Sequence, residues 1–355
     1  MNPPSVSVVM AVRNVERFLA EAIESILMQT FTDFEFIIVD FGSTDQSLTI
    51  ALSYAARDPR IRICETPPCS LPEARNVGGF CAKGRFIAVM DADDVSLPER
   101  LDRELEYLNA HPRVALLGAA VEWIDSSGRP FHVHGFHPTS DHEIKSQLRT
   151  HNVFWHPTMI MRRESFTSLG GYRAAFVCSH DYDLAARIAE RYECANLREV
   201  LVRYRVHPHQ LTAARQTEQT VCKLAVHVSA AARRAGTPDP IATLLEITPA
   251  TLAALGVGER EQRNAAIADG HTWIRNMISA GEYASASASA LRILKSNLDH
   301  VDPWRVSELH LSVAGLYWKD RKLWKCATEV VRAILARPVL VGRPIMLLLR
   351  KLRWA

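Results

Sequence analysis

"RFIAVMDADDVSLPER", Arg85 to Arg100, is the stretch on which the reading of the chain turns. Its apolar run has the length of a buried strand and ends in three aspartates, Asp91, Asp93 and Asp94, with Pro98 close behind, so the strand must break there. Like charges repel by about 4 kcal/mol at 4 Å in an effective dielectric near 20. Carboxylates this crowded therefore need positive charge among them.

Outward from that strand the pattern repeats. "SVSVVMAV" from Ser5 reads as a strand, and "VERFLAEAIESILMQ" from Val15 has the apolar spacing of an amphipathic helix. "FEFIIVD" is a second strand ending at Asp40, and "STDQSLTIALSYAARD" begins a second helix with Ser and Asp caps. "RIRIC", "LPEARNVGGFCAKG" and "RFIAVMD" then read as strand, helix and strand. Short, nearly continuous β-rich runs alternating with helices predict a mainly parallel α/β sheet with flanking helices. Ligands of such sheets lie outside the carboxyl ends of the strands. That places Ala11 to Arg13, Asp40 to Gly42 and Asp91 to Asp94 on one rim.

The second half of this domain reads as a mixed extension that completes a pocket over the rim. "VALLGAAVEWIDSSGRPF" is a longer strand ending in a turn, and "HNVFWHPTMIMRRESF" and "CANLREVLVRYRVH" supply further strands. Between them, "SHDYDLAARIAERY" is a helix starting near His180 or Asp181. Past a boundary at about residue 215 the composition turns to Ala, Leu and scattered charge at helical spacing, predicting a catalytic domain over 1–215 and an α-helical C-terminal region over 216–355. "WIRNMISAGEYASASASALRILKSN" and "LHLSVAGLYWKDRKLWKCATEVVRAILARP" each read as helix, short turn, helix. Stacked repeats and an ordinary helical appendage both account for them. The end, "RAILARPVLVGRPIMLLLRKLRWA", combines an apolar run with Arg332, Arg337, Arg343, Arg350, Lys351 and Arg353. Such a tail suits an anionic membrane surface, a partner protein or the catalytic domain itself.

Composition removes several classes. A net charge of +3, evenly spread, gives no footprint for nucleic acid. Seven cysteines without a C-x-x-C pair fit free thiols in a reducing compartment. With no signal peptide and no apolar run of about 20 residues, the expected place is the cytoplasm, either free or peripheral at the cytoplasmic face of the inner membrane.

The acids admit two readings. Oxygen ligands at a broken strand end suit a hard divalent cation, Mg2+ or Mn2+, that keeps positions for diphosphate oxygens and takes up charge on a departing nucleoside diphosphate. Acids in such loops also serve as plain caps. Asp40 can accept from a nucleobase or ribose, or cap its turn. Arg75 can reach phosphate or form a surface salt bridge, and Gly78 and Gly79 allow close approach or simple packing. His156 can satisfy a loop, Trp155 can stack on an acceptor sugar or fill a core, and Asp183 reads as a solvated acid in a helix's first turn.

Over approximately residues 4 to 212 the chain resembles the family 2 glycosyltransferases, inverting enzymes of the glycosyltransferase A-type fold. The matching pieces, in order, are "VSVVMAVRNVERFLAEAIESILMQTFTDFEFIIVDFGSTD", "PEARNVGG", "FIAVMDADDVSLPERL", "HPTMIMRR", "HDYDLAARIA" and "VRYRVH". The resemblance implies that Ala11 and Arg13 line the first nucleotide loop, Asp40 reads the base, and Arg75 lies near the phosphates. It further implies Asp91 as the ribose or outer metal contact, Asp93 as the direct metal ligand, His207 near metal or diphosphate, and Asp181 as general base. Trp155, His156 and His180 fall on the acceptor side. Two departures stand out. "DFGS" has Phe41 where the family often has a second Asp, and "HDYD" has His180 where it often has Glu.

The expected activity is inverting, metal-dependent transfer of a sugar from a nucleoside-diphosphate sugar, UDP favoured, to a hydroxyl of a glycan or lipid-linked glycan in cell-surface polysaccharide synthesis. A non-catalytic nucleotide-sugar-binding protein is the competing reading, motivated by Phe41 and His180. A sugar nucleotidyltransferase is weaker, since no G-x-x-x-x-G-K loop is present.

Overall fold

A computed structural model of the chain describes residues 3–134, 138–208, 210, 215–295, 301–319 and 321–336. By internal packing it divides into two compact units, the first comprising 1–124, 128–205 and 225–247, the second 125–127, 206–224 and 248–355.

The first unit is built on a sheet of nine strands among the described residues, in the order β3-β2-β1-β4-β8-β6-β9-β5, with β7 paired to β6. β1 (Val6–Val12), β2 (Phe34–Asp40), β3 (Ile61–Glu65) and β4 (Phe86–Asp91) are parallel neighbours. Every residue of β2 is buried, as a strand covered on both faces requires. From β1 the chain steps outward to β2 and β3, then returns to the other side of β1 for β4. In open sheets ligands bind beyond the carboxyl ends of the strands at such a reversal, which here are the ends of β1 and β4. Register brings the ends together: Ala11 pairs with Asp91, and Val12 with Asp40.

The helices follow from the apolar spacing. α1 (Glu16–Leu27) buries Phe18, Leu19, Ala22, Ile23 and Ile26. α3 (Leu71–Cys81), which follows α2 (Ser47–Ala55), starts at a capping box in which the Ser70 N–H donates to Glu73 Oε2 (2.8 Å). Gly78 is required there, because a Cβ would stand 2.4 Å from Val9 Cγ1. Its absence lets α3 lie directly on the sheet and fixes where Arg75, nearly one turn earlier, reaches the rim.

The mixed half comprises β5 (Val95–Ser96), α4 (Arg100–Ala110), β6 (Val114–Ile124), β7 (Pro130–His134), α5 (Asp141–Gln147), β8 (Ile160–Arg162), α6 (Arg163–Ser168), α7 (His180–Ala189) and β9 (Glu193–Arg205). β8 runs antiparallel between β4 and β6, while β9 is parallel to β6. The segment around "FWHPTM" is less extended than expected. His156–Thr158 is a 3-10 turn, since Pro157 suits the first turn of a helix and has no N–H for a ladder. Only Ile160–Arg162 pairs as strand.

The second unit contains helices Glu259–Ser279, Tyr283–Lys295, Pro303–Lys319 and Leu323–Ala336. The expected helix, short turn, helix form is present in both stretches, with Gly281 (φ +80°) and Arg321 (φ +55°) in the turns. Among the described residues no helix is long and apolar enough to cross a membrane. Most of the basic apolar tail, residues 337–355, lies outside the described residues.

A buried ion pair ties α4 to β4. Arg100 and Glu104, both fully buried on α4, meet at 2.8 Å, and Arg100 also donates to the Val89 carbonyl of β4 (2.9 Å). Burial pushes Glu104 up to about 7 although the guanidinium opposes this. Removing one member of such a pair leaves an uncompensated buried group. Arg100→Leu should cost about 3–5 kcal/mol by denaturant titration, and adding Glu104→Leu should recover part of the loss. A double variant less stable than the single would contradict this account of the pair.

Candidate active site

Three strand ends supply the rim. At the end of β2, Asp40 is buried, and its Oδ1 accepts from the N–H groups of Gly42 and Ser43, both at 3.1 Å. Its Oδ2 is buried without a hydrogen bond. An acceptor left dry and unpaired costs about 1–3 kcal/mol, more when charged, so this oxygen is ready for a ligand N–H. Gly42 (φ +92°) makes the turn that aims the two amides back at Asp40. Phe41 is buried, with the exposed Arg13 guanidinium 5.7 Å from its ring centre. Ala11 is half-buried on β1 beside Asp91.

Asp91 carries the densest set of contacts. Arg75 Nη2 donates to its Oδ1 (2.5 Å), and His156 Nδ1 lies 3.3 Å from the same oxygen. His156 Nε2 meets the Tyr172 hydroxyl at 3.0 Å. One tautomer satisfies both contacts: Nδ1–H donates to the carboxylate, and Nε2 accepts from the phenol. Burial would raise the Asp91 carboxyl, yet the Arg75 charge above all, with the hydrogen bond from His156, holds it well below the usual carboxylate range. Arg75 Nη1 contacts His180 Nε2 on its other side.

The remaining acids are held by β9. Arg205 donates from its backbone N–H to Asp94 Oδ1 (2.7 Å), from Nε to the Asp93 carbonyl (2.8 Å) and from Nη2 to Glu21 (2.6 Å). Burial, with Asp93 and Asp91 alongside, pushes Asp94 well above the ordinary carboxylate value. The crowding is thus relieved by two arginines, and it is felt by Asp94, whose buried carboxyl gives up its proton less readily than an ordinary one. Asp93 keeps a half-buried side chain. Among the described residues no cluster of three or more His, Cys, Asp or Glu side chains forms a self-sufficient metal cage. A Mg2+-like ion held by one carboxylate and completed by substrate phosphates needs no such cage, and Asp93 fits that role.

On the facing side, α7 begins at His180 after Ser179 in a left-handed conformation (φ +52°). Asp181, in the first turn, is half-buried and accepts from Asn152 Nδ2 (2.8 Å). Asp183, expected in solvent, is instead fully buried between Arg173 Nε (3.0 Å) and Arg187 Nε (2.9 Å). Its partners come from two sides: Arg187 lies one turn along the same helix, and Arg173 arrives from the loop before it. His180 is 3% exposed, with its ring edge-on to Tyr172 and His156. Trp155 sits among rings, 5.7 Å from Trp123 and 5.2 Å from Tyr204. His207 belongs to the second unit, where its N–H donates to Gln210 Oε1 (2.9 Å).

A single loop therefore carries Asn152 on Asp181, Trp155 in the aromatic group and His156 on Asp91. Sequence reasoning missed Asn152, Tyr172 and the anchoring role of Arg205. Asn152, four residues before His156, had no pattern of its own. Arg205 did, as a cation closing a strand beside the acids.

The description Glycosyl transferase family 2 matches residues 7–170. The chain is 34% identical over 210 residues to an uncharacterised glycosyltransferase of Methanocaldococcus jannaschii, covering 58% of this chain and 72% of that protein. It is 33% identical over 208 residues to the O-antigen biosynthesis glycosyltransferase WbnJ of Escherichia coli, covering 57% and 80%. Among solved structures, S. aureus TarS in complex with UDP-GlcNAc has a TM-score of 0.53 at 16% identity over 95% of this chain and 92% of that one. The mannosyltransferase PcManGT of Pyrobaculum calidifontis, in complex with GDP-Man and Mn2+, has 0.51 at 18% over 95% and 89%. These two likenesses concern the fold.

Burial, then Arg75 and His156, keep His180 well below the ordinary histidine value of 6.5, so it is neutral in the folded chain. The unfolded chain binds the proton more readily, and the contribution of His180 to stability is full above pH 6.5 and lost as pH falls towards its lowered value. His180→Gln should therefore show a flatter fall of Tm between about pH 6.5 and 5 than the parent. Parallel Tm curves would contradict a neutral, buried His180.

Proposed function

The chain belongs to glycosyl transferase family 2, and on that premise we propose how it transfers a sugar from a nucleoside-diphosphate donor to a glycan or glycolipid acceptor. The observation that carries the proposal is the loop from Asn152 to His156, which orients Asp181 at one end and Asp91 at the other. It joins a base to a donor rim.

In this reading the nucleotide lies across the ends of β1, β2 and β4. The unpaired Asp40 Oδ2 accepts a ring N–H, which uracil, thymine and guanine carry, with UDP the favoured donor. Phe41 and Arg13 flank the base in place of the second acid. Ala11 leaves room for the nucleoside beside Asp91, whose carboxylate, kept ionised by Arg75 and His156, accepts from a ribose hydroxyl. Arg75 faces the phosphates, and Asp93 would hold Mg2+ or Mn2+ together with oxygens of the diphosphate. Bound there, the ion supplies compensation for charge on the leaving group.

Transfer is a single displacement. The acceptor oxygen forms its bond to the anomeric carbon as the bond to the diphosphate breaks; the electron pair leaves with the nucleoside diphosphate, and Asp181 takes the acceptor proton. Attack opposite the leaving group inverts the anomeric centre. Asn152 holds the Asp181 carboxylate so that its other oxygen faces the acceptor, and Trp155 offers a stacking face to an acceptor sugar. The catalytic part is assigned to residues 1–215. All seven cysteines are free thiols, in keeping with a cytoplasmic site of action. The basic tail is assigned to an anionic membrane surface, where lipid-linked acceptors lie.

Asp181→Asn should bind donor as the parent does and lose about 10²-fold to 10⁴-fold in turnover. Near-parental turnover would remove Asp181 from the role. Asn152→Ala should lower turnover with little change in donor affinity, because only the orientation of the base is lost. For the metal, isothermal titration with Mn2+ should give weak binding alone and tighter binding with UDP present, and Asp93→Asn should abolish the gain. Full transfer in thorough chelation would exclude the metal. Flotation with anionic liposomes should require residues 338–355.

A further inference from the structure

The Arg75 guanidinium is gripped on two sides. Nη2 donates to Asp91 Oδ1 (2.5 Å), and Nη1 contacts Nε2 of His180, the first residue of the helix that carries Asp181. A guanidinium offers only N–H donors and keeps its proton in proteins. Nε2 must therefore be the acceptor, which makes His180 a neutral imidazole with its hydrogen on Nδ1. The ring is 3% exposed and enclosed by Tyr172 and His156, with ring centres 5.4 and 5.8 Å away. It has no open face for an acceptor sugar. A carboxylate at this position would form a full ion pair with Arg75 and draw it away from Asp91. A neutral acceptor orients the guanidinium without competing for its charge.

We infer that His180 is a positioning residue for the donor: it fixes Arg75 against Asp91 and so sets the cation that meets the diphosphate. The inference rests on reading the rim as the donor site and adds to it the part played by the histidine. One arginine then joins the head of the base helix to the end of β4, so donor affinity depends on a residue adjacent in sequence to the base. Asp181 itself is oriented from elsewhere, by Asn152 (2.8 Å).

The test separates an acceptor atom from bulk. His180→Gln places an amide oxygen within reach of Arg75, whereas His180→Leu fills similar space without an acceptor. Binding of UDP, GDP and dTDP, each with Mn2+, is measured by calorimetry on the full chain, alongside donor and acceptor KM. The tightest diphosphate should bind His180→Leu roughly 10-fold or more weakly, as expected for loss of a hydrogen bond to a charged group. It should bind His180→Gln within about 3-fold of the parent. Donor KM should follow the same order, with acceptor KM unchanged. Equal behaviour of the Gln and Leu variants, or a rise confined to acceptor KM, overturns the inference. If the parent binds none of the three diphosphates, the donor-site reading itself fails and this inference goes with it. Normal parental binding with indifferent variants removes only the role of His180.

Discussion

Three carboxylates at the end of one buried strand are the constraint around which the first unit is organised. They cannot all stay ionised without nearby cations, and the chain brings Arg75 from α3 and Arg205 from the end of β9. Each arginine fixes more than charge. Arg75 requires α3 to lie close on the sheet, which Gly78 permits, and Arg205 pins the last strand of the unit beside the first helix through Glu21. At Asp94, burial first and then the neighbouring Asp93 and Asp91 push the carboxyl above its ordinary value. Asp91 is ionised and gripped by Arg75, Asp94 is fully buried and Asp93 is half-buried, so three similar acids acquire three different characters from their surroundings.

Much of the fold was legible because periodicity is set by burial. β1, β2 and β4 read as continuous apolar runs, and they are the strands covered on both faces. The crossover helices announced themselves by spacing, whereas the capping box that starts α3 is seen only in the folded chain. The segment at His156 to Thr158 was harder. Its residues are apolar enough for a strand, and only a local turn around Pro157 shortens the strand to three residues. The pairing of β9 with β6 depends on contacts distant in sequence, which no local pattern encodes.

The rim acids were legible as a set, since the strand-end rule puts Asp40 and Asp91 on one edge before any contact is known. Their individual partners were not. Asp183 looked like a solvated helix acid because its partners, Arg173 and Arg187, signal nothing by type. Its burial is a property of the packed helix. His180 looked like a substitution on the acceptor side, while the folded chain turns it inward to Arg75. Asn152 is invisible without the fold, being an amide in a loop whose value lies in what it faces.

The central claim is that a base and a donor rim are held on opposite sides of one reacting carbon. Product stereochemistry tests it most directly. Transfer is run with a nucleotide sugar of defined anomeric configuration, and the one-bond carbon–hydrogen coupling at the new linkage is read by NMR. The account predicts a product of opposite configuration to the donor. A product that retains the donor's configuration would contradict direct displacement with Asp181 as base.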